Sequence, residues 1–181
     1  MTHGDRSPAG LFDEHLAAEF ATRDVVGAMA TMSADPYVNH VPVLIGGIGR
    51  DEVRRFYEQV FIGQWPADTT MERVSRTVGT DRVVDELVLS FTHDIRMDHL
   101  LPGVPATGRR VRLAVCVVAG VRDGKITHEH VYWDQASVLV QVGLLDRAGL
   151  PVTGAEQAEK LLTPRAILAN GLLGTDWSGQ L

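Results

Sequence analysis

The sequence predicts a single α+β domain, in which helices come first and then pack on one face of a curved, mainly antiparallel sheet to close an internal pocket. Two observations carry this expectation. Apolar residues recur at three- and four-residue steps in the first third of the chain, and long alternating segments joined by an Asp-Gly turn fill the middle. A chain of 181 residues with 45% hydrophobic and 22% charged residues suits one domain with a full core.

Residues 1–10 read as a flexible leader. From Leu11 to about Met32 the pattern is helical, with Leu11, Phe12, His15, Leu16, Glu19, Phe20 and Arg23 at helical spacing. Thr22-Arg23-Asp24 marks a break, because Thr and Asp favour caps, so this stretch is one long helix or two shorter ones. Pro36 stops it. Tyr37 to Ile45 is β-rich, and Pro42 suits it to an edge or to a strand beside a loop. Gly46-Gly47-Ile48-Gly49 reads as a flexible turn, since it lacks the glycine-lysine pattern of a phosphate cradle. Asp51 to Phe61 is a second helix with Val53, Phe56, Tyr57 and Val60 on one side. Strands follow at Met71–Val78, Arg82–Asp94, Arg110–Val121 and Lys125–Gln135. Asp123-Gly124 joins the last two as a hairpin, because it tolerates the positive backbone angles of tight turns. Helices are expected over Ala136–Leu145, Gly154–Leu162 and Pro164–Leu172.

The charge balance narrows the partners. Lys and Arg number 17 against 23 Asp and Glu, for a net charge of -6, and the arginines are scattered among acids. That argues against nucleic acid, whose binders present a basic face. No run approaches the roughly 20 apolar residues of a membrane span, and the first residues lack the pattern of a secretory signal. A cytoplasmic protein acting on a small molecule or on another protein is expected. Cys116, the one cysteine, excludes a disulfide and reads as a small buried hydrophobe.

Alternation along the strands selects candidate site residues. Asp85, Leu87, Leu89, Phe91 and His93 share the greasier face of their strand, so Asp85 and His93 flank an apolar stripe, as functional or as satisfied structural groups. On Lys125–Gln135, His128, His130, Tyr132 and Asp134 share one face and Glu129, Val131 and Trp133 the other. Asp134 sits where this strand meets an apolar helix, well placed for a general acid or base. His128 and His130, with His93, Asp94, Asp98 or His99, invite a metal reading, yet defined later ligands are lacking and no metal is expected. His40, after Asn39, faces a pocket mouth or caps a turn. Trp65 is a lid or a surface plug.

Several segments resemble the SnoaL-like family, which shares the nuclear transport factor 2-like fold. These are Val38-Asn39-His40, Gly49-Arg50-Asp51-Glu52-Val53 leading to Phe56-Tyr57, and the turn Leu101-Pro102-Gly103-Val104-Pro105-Ala106-Thr107-Gly108-Arg109. Asp123-Gly124-Lys125-Ile126, Glu129-His130, Asp134 and Leu139-Val140-Gln141-Val142-Gly143 complete the set. The resemblance covers about residues 11–146 and leaves 147–181 as a helical extension packing on the domain or on a partner subunit. It implies a cone-shaped sheet with three helices, a homodimer formed through the sheet, and no cofactor. It also implies polyketide ring closure, isomerisation, epoxide hydrolysis or no catalysis, with a carboxylate and often a histidine moving the proton. Asp134 matches the family's carboxylate after the Glu-His pair, and His93 and His40 match less closely. The chain departs from the pattern by residues inserted after His93 and by Tyr132-Trp133 ahead of Asp134.

The resulting expectation is a cofactor-independent enzyme acting on a small, largely apolar carbonyl, lactone or epoxide compound. Asp134 would be the principal acid or base, His93 would orient it or share its proton, and Asp85 or His130 would tune it. His40, Tyr132, Trp133, Phe91, Asp98 and Trp65 would contact the substrate. The alternative is a non-catalytic module whose pocket holds a metabolite or a partner's side chain.

Overall fold

The computed structural model describes residues 7–173. Residues 1–6 of the expected leader and 174–181 of the expected extension lie outside the described residues. Pro8 to Gly10, expected in the leader, begin the first helix instead. Ser7 caps it by accepting the Gly10 amide at 3.2 Å, and Pro8 supplies a fixed φ at a position whose amide needs no partner. This helix, α1 (Pro8–Leu16), runs into a π-helical turn over Ala17–Ala21, where the Thr22 amide reaches back five residues to the Ala17 carbonyl. The break expected at Thr22-Arg23-Asp24 is present. Arg23 turns the chain with φ 53°, and Asp24 Oδ1 accepts the Val26 amide at 2.9 Å to cap α2 (Val25–Thr31).

The next segment departs from expectation. Strand β1 (Met32–His40) begins directly after α2 and runs through Pro36, and the glycine segment forms strand β2 (Ile45–Ile48) rather than a loose turn. Two strands joined by residues 41–44 satisfy each other's backbone groups, with Tyr37 opposite Ile48 and His40 opposite Ile45. The glycines are needed because α3 (Arg50–Phe56) packs tightly on β2. A Cβ on Gly47 would lie 2.7 Å from the Glu52 carbonyl carbon and 2.8 Å from the Val53 nitrogen. Helix α3 ends in a second π-helical turn, Tyr57–Phe61.

Strands β3 (Thr70–Val78), β4 (Arg82–Thr92), β5 (Arg110–Arg122) and β6 (Lys125–Trp133) follow the alternating segments closely. The Asp123-Gly124 hairpin has both residues at positive φ, 52° and 66°. The sheet order is β2-β1-β6-β5-β4-β3, antiparallel except for the parallel pair β1–β6. In register, Val38 lies beside Glu129, Val131 beside Val117, and Leu87 beside Val115, so these side chains share an inner face. Leu11, Phe12, Met29, Tyr57, Phe91 and Leu113 are fully buried between helices and sheet. Burying one such side chain contributes roughly 1.5–3 kcal/mol.

Two short helices close the chain. After β6 ends, α4 (Gln135–Gln141) carries Gln141 alongside β5, where its amide accepts the Arg112 N–H at 2.8 Å and donates to the Arg112 carbonyl at 3.0 Å. One side chain thus replaces the missing strand. Helix α5 (Glu156–Leu162) is tied to β5 by an Arg112–Glu159 ion pair. The helix expected over Pro164–Leu172 reduces to turns and a single 3-10 turn, Gly171–Leu173. No helix among the described residues is long and apolar enough to cross a membrane.

The tight β2–α3 contact makes a prediction. Gly47→Ala should lower the unfolding free energy by about 2 kcal/mol or more, since backbone rather than a mobile side chain must yield. Chemical denaturation checks this, and an unchanged midpoint would mean that α3 can move away from β2 at little cost.

Candidate functional site

Between the helices and the inner face lies a mostly apolar cavity of about 50 Å³. Its apolar wall includes Val38, Phe56, Leu87, Leu113, Val115 and Val131, and its polar groups come from Glu19, Tyr57, His40, His99 and Glu129. Glu19 and Glu129 are each 4% exposed. A carboxylate buried in apolar surroundings needs a partner or a proton.

The partner is His15, which lies behind the two carboxylates and is wholly buried. Its Nε2 stands 3.1 Å from Glu19 Oε1 and 3.3 Å from Glu129 Oε2. The Tyr57 hydroxyl donates to Glu129 Oε2 at 3.2 Å and lies 3.1 Å from the same histidine nitrogen. On the other side of the ring, Thr31 Oγ1 donates to the Ala28 carbonyl, so it accepts from His15 Nδ1 at 2.6 Å. That bond fixes a proton on Nδ1 and presents Nε2 to the carboxylates.

The local backbone explains how three elements converge here. His15 and Glu19 are one helical turn apart on α1 and its continuation, and Glu19 sits within the first π-helical turn. Tyr57 opens the second π-helical turn, and Glu129 projects inward from β6. Single π turns re-aim side chains within otherwise regular helices and recur at functional sites.

The electrostatics separate the two carboxylates. Burial raises the Glu19 carboxyl, with the Glu129 charge adding to this, so that it stays above the ordinary glutamate value despite His15. Burial would raise Glu129 as well, but the His15 charge and the His15 and Tyr57 hydrogen bonds outweigh it, and its pKa is lowered. Burial alone would depress His15, yet Glu129 and Glu19 together lift it well above the usual histidine value. These directions pair a charged imidazole with Glu129 and leave Glu19 as the carboxyl whose ionised form burial disfavours more. Environments that push two titratable groups apart in this way are the signature of acid–base pairs.

Several residues expected in the site lie elsewhere. Asp134 is solvent-exposed, and its Oδ1 accepts the Ala136 amide at 2.9 Å, so it caps α4 and does not line the cavity. An aspartate ahead of an apolar helix suits a capping role as well as a catalytic one, and the contact present is the cap. Asp85 is buried on the inner face as expected, but it is clamped by Arg76 through paired bonds of 2.6 and 2.7 Å and does not reach the cavity. His93 is buried beside Thr107 at 3.1 Å, where burial lowers its pKa, and it too lies outside the cavity wall. His130 and Tyr132 occupy the opposite face of β6, with Tyr132 exposed and His130 against Tyr37. Phe91 packs behind Trp65, and Asp98 orders its loop by accepting the Gly103 amide at 3.1 Å. His40, Trp65 and Trp133 do line the cavity.

The residues that sequence reasoning passed over are His15, Glu19, Tyr57 and Glu129. Their sequence signals are the four-residue spacing of His15 and Glu19, an acid at Glu129 on the otherwise apolar face of β6, and the Phe56-Tyr57 and Glu129-His130 segments of the family resemblance. Among the described residues, His15, Glu19 and Glu129 are also the one group with three ligand atoms close enough together to hold a metal ion.

The buried histidines generate a pH prediction. Burial depresses His40 to about 4 and His99 to about 3. In the unfolded chain each titrates near 6.5. Between these values the unfolded chain binds protons that the folded chain does not, so stability rises with pH and falls on acidification from about 6.5 towards 4. His15 acts in a different window, because its raised value makes its contribution full below about 6.5 and lost as pH rises through the folded value. Urea midpoints should therefore drop between about pH 6.5 and 5, and a flat profile there would contradict the neutral, buried placement of His40 and His99.

Comparison with known proteins agrees with this architecture. The model of the SnoaL-like domain family matches residues 13–129. No curated protein matches the chain. The solved structure of TsrD from Streptomyces laurentii is similar at 17% identity and TM-score 0.61, covering 80% of this chain and 100% of that one. A protein of ketosteroid isomerase-like fold from Catenulispora acidiphila, solved in complex with trimethylamine, shares 16% identity at TM-score 0.58 over 77% of this chain and 95% of its own. A candidate polyketide cyclase from Xanthomonas campestris shares 20% identity at TM-score 0.56 over 74% and 95%. These likenesses carry the fold, and the family match carries the membership: the chain belongs to the SnoaL-like family, built on the nuclear transport factor 2-like fold.

Proposed function

We propose that the protein moves a proton on a small, largely apolar carbonyl, lactone or epoxide compound held in the cavity, with Glu19 as general acid and base. The observation that supports this reading is the carboxylate pair Glu19 and Glu129, bracketed by His15 and Tyr57 and opening onto an apolar chamber. A carboxyl whose pKa is lifted by burial gives and takes a proton nearer neutral pH than one in water, and proton transfer by a positioned side chain contributes about 10²–10⁴-fold to rate. Glu129 and His15 hold a fixed charge pair beside it. The Tyr57 hydroxyl, whose pKa is pushed up by burial and by both carboxylates, keeps its proton and donates a hydrogen bond. The acid–base role expected of Asp134 thus passes to Glu19, on a different element.

A non-catalytic binding role is the rival, and the small size of the cavity favours it. One experiment separates the two without knowledge of the natural substrate. Proton abstraction beside a carbonyl appears as deuterium exchange at that carbon in heavy water, followed by NMR over a panel of small ketones and lactones. Wild-type protein should catalyse exchange on at least one of them. Glu19→Gln should slow it by at least about 100-fold, and Asp134→Asn should leave it unchanged. Binding with no exchange would favour the rival, and exchange undiminished in Glu19→Gln would remove Glu19 from the role.

Assembly is proposed to follow the family pattern, as a homodimer through the outer face of the sheet, where Cys116 and Val118 are half-buried and Tyr132 is exposed. Sedimentation velocity should give twice the chain mass, and Val118→Arg should give the monomer. A monomeric wild-type protein would exclude this arrangement.

A further inference from the structure

The cavity wall carries polar atoms that the carboxylate cluster does not use. Trp65 Nε1 and His99 Nε2 are buried and have no hydrogen-bond partner among the described residues, although both residues line the chamber. Trp65 is 6% exposed and His99 1%. Their rings lie 4.5 Å apart between centroids, and His40 stands 5.9 Å from His99. Buried polar atoms are rarely left unpaired, and those that are call for an explanation.

The polarity of each atom is fixed by what lies behind it. An indole nitrogen only donates. The Nδ1 of His99 faces the Val60 carbonyl at 3.1 Å, and that of His40 faces the His99 carbonyl at 2.9 Å. A carbonyl only accepts, so both Nδ1 atoms carry the proton and both Nε2 atoms are acceptors in the neutral ring. The wall therefore offers one donor and two acceptors, held by backbone contacts that leave little freedom to invert them.

We propose that Trp65, His99 and His40 form a hydroxyl-binding subsite: Trp65 Nε1 donates to a ligand hydroxyl oxygen, and an imidazole Nε2 accepts that hydroxyl's proton. The substrate is then a largely apolar compound that carries an alcohol, phenol or enol group. This specifies the substrate class and rests on the reading of the cavity as a ligand site, but not on the proton transfer assigned to Glu19. Other groups fit less well. A ketone or carboxylate oxygen would accept from Trp65 but face two lone pairs it cannot satisfy. An ammonium would satisfy the imidazoles and leave the indole N–H unpaired. Burial holds both histidines neutral, so neither supplies a charge for an acid to pair with.

Binding of simple probes to the full chain tests this. Cyclopentanol, cyclopentanone and methylcyclopentane have similar bulk and differ in hydrogen bonding. Titrations followed through backbone amide ¹⁵N–¹H signals, which every variant retains, should show cyclopentanol binding at least about tenfold more tightly than either analogue. The preference should shrink to about twofold or less in Trp65→Phe and in His99→Phe. It should persist in Glu19→Gln, so that failure of the acid–base role and failure of the subsite are told apart. Imidazole ¹⁵N shifts of the wild-type protein give a reading that needs no variant, with Nδ1 protonated and Nε2 bare at both His40 and His99. Equal binding of alcohol and ketone, an alcohol preference that survives both variants, or a protonated Nε2 in the free protein would each overturn the proposal.

Discussion

Everything in the interior depends on a buried imidazole held between two carboxylates. His15 links its own helix to Glu19 four residues on, to Tyr57 at a separation of 42 and to Glu129 at a separation of 114. It therefore joins α1, the end of α3 and the middle of the sheet at one point. Ions buried in this way are costly unless each has its counterpart, and removing one partner leaves the rest uncompensated. The cluster's first effect is to specify how the helices sit on the sheet. Its second is chemical, because the geometry that neutralises Glu129 also leaves Glu19 with the raised pKa.

The remaining charged groups keep this arrangement undisturbed. Arg76 occupies Asp85 with a bidentate pair, reaches Asp13 at 2.7 Å, and lies 5.6 Å over the Phe12 ring. Asp85 is the other buried inward-facing carboxylate of the sheet, and without Arg76 its charge would be left uncompensated. Fork-shaped guanidinium pairing meets that need with directional bonds. The cavity thereby keeps its acidic groups at one cluster and its neutral donors and acceptors in the wall formed by Trp65, His99 and His40.

Much of the fold was legible because local rules act without competition there. Strand β5 and the first half of β4 alternate, Asp123-Gly124 favours a tight hairpin, and the Thr22–Asp24 break has a side chain ready to cap. Strand β2 was hidden because its glycines serve close packing against α3, a tertiary demand that looks like flexibility in sequence. The site was less legible. Alternation put Glu129 on the face with Val131 and Trp133, which do line the cavity, but the histidine-rich opposite face drew attention by density of titratable groups. Asp134 offered the same letters to two roles, and the helix behind it used the backbone one. His15 and Glu19 read as helix periodicity, and nothing local shows that their partner lies more than a hundred residues away.

The two π-helical turns have a consequence for how the chamber is reached. Each holds a ring of the cavity wall, Phe20 in the first and Phe61 in the second. Phe20 and Met71 also border the two outer grooves of about 330 and 340 Å³, so they stand between bulk solvent and the inner 50 Å³. A turn with irregular hydrogen bonding yields at lower cost than the helix on either side, and local opening draws on such low-stability segments. The irregularity that aims Glu19 into the chamber thus also sets Phe20 in the partition between the chamber and the outer grooves.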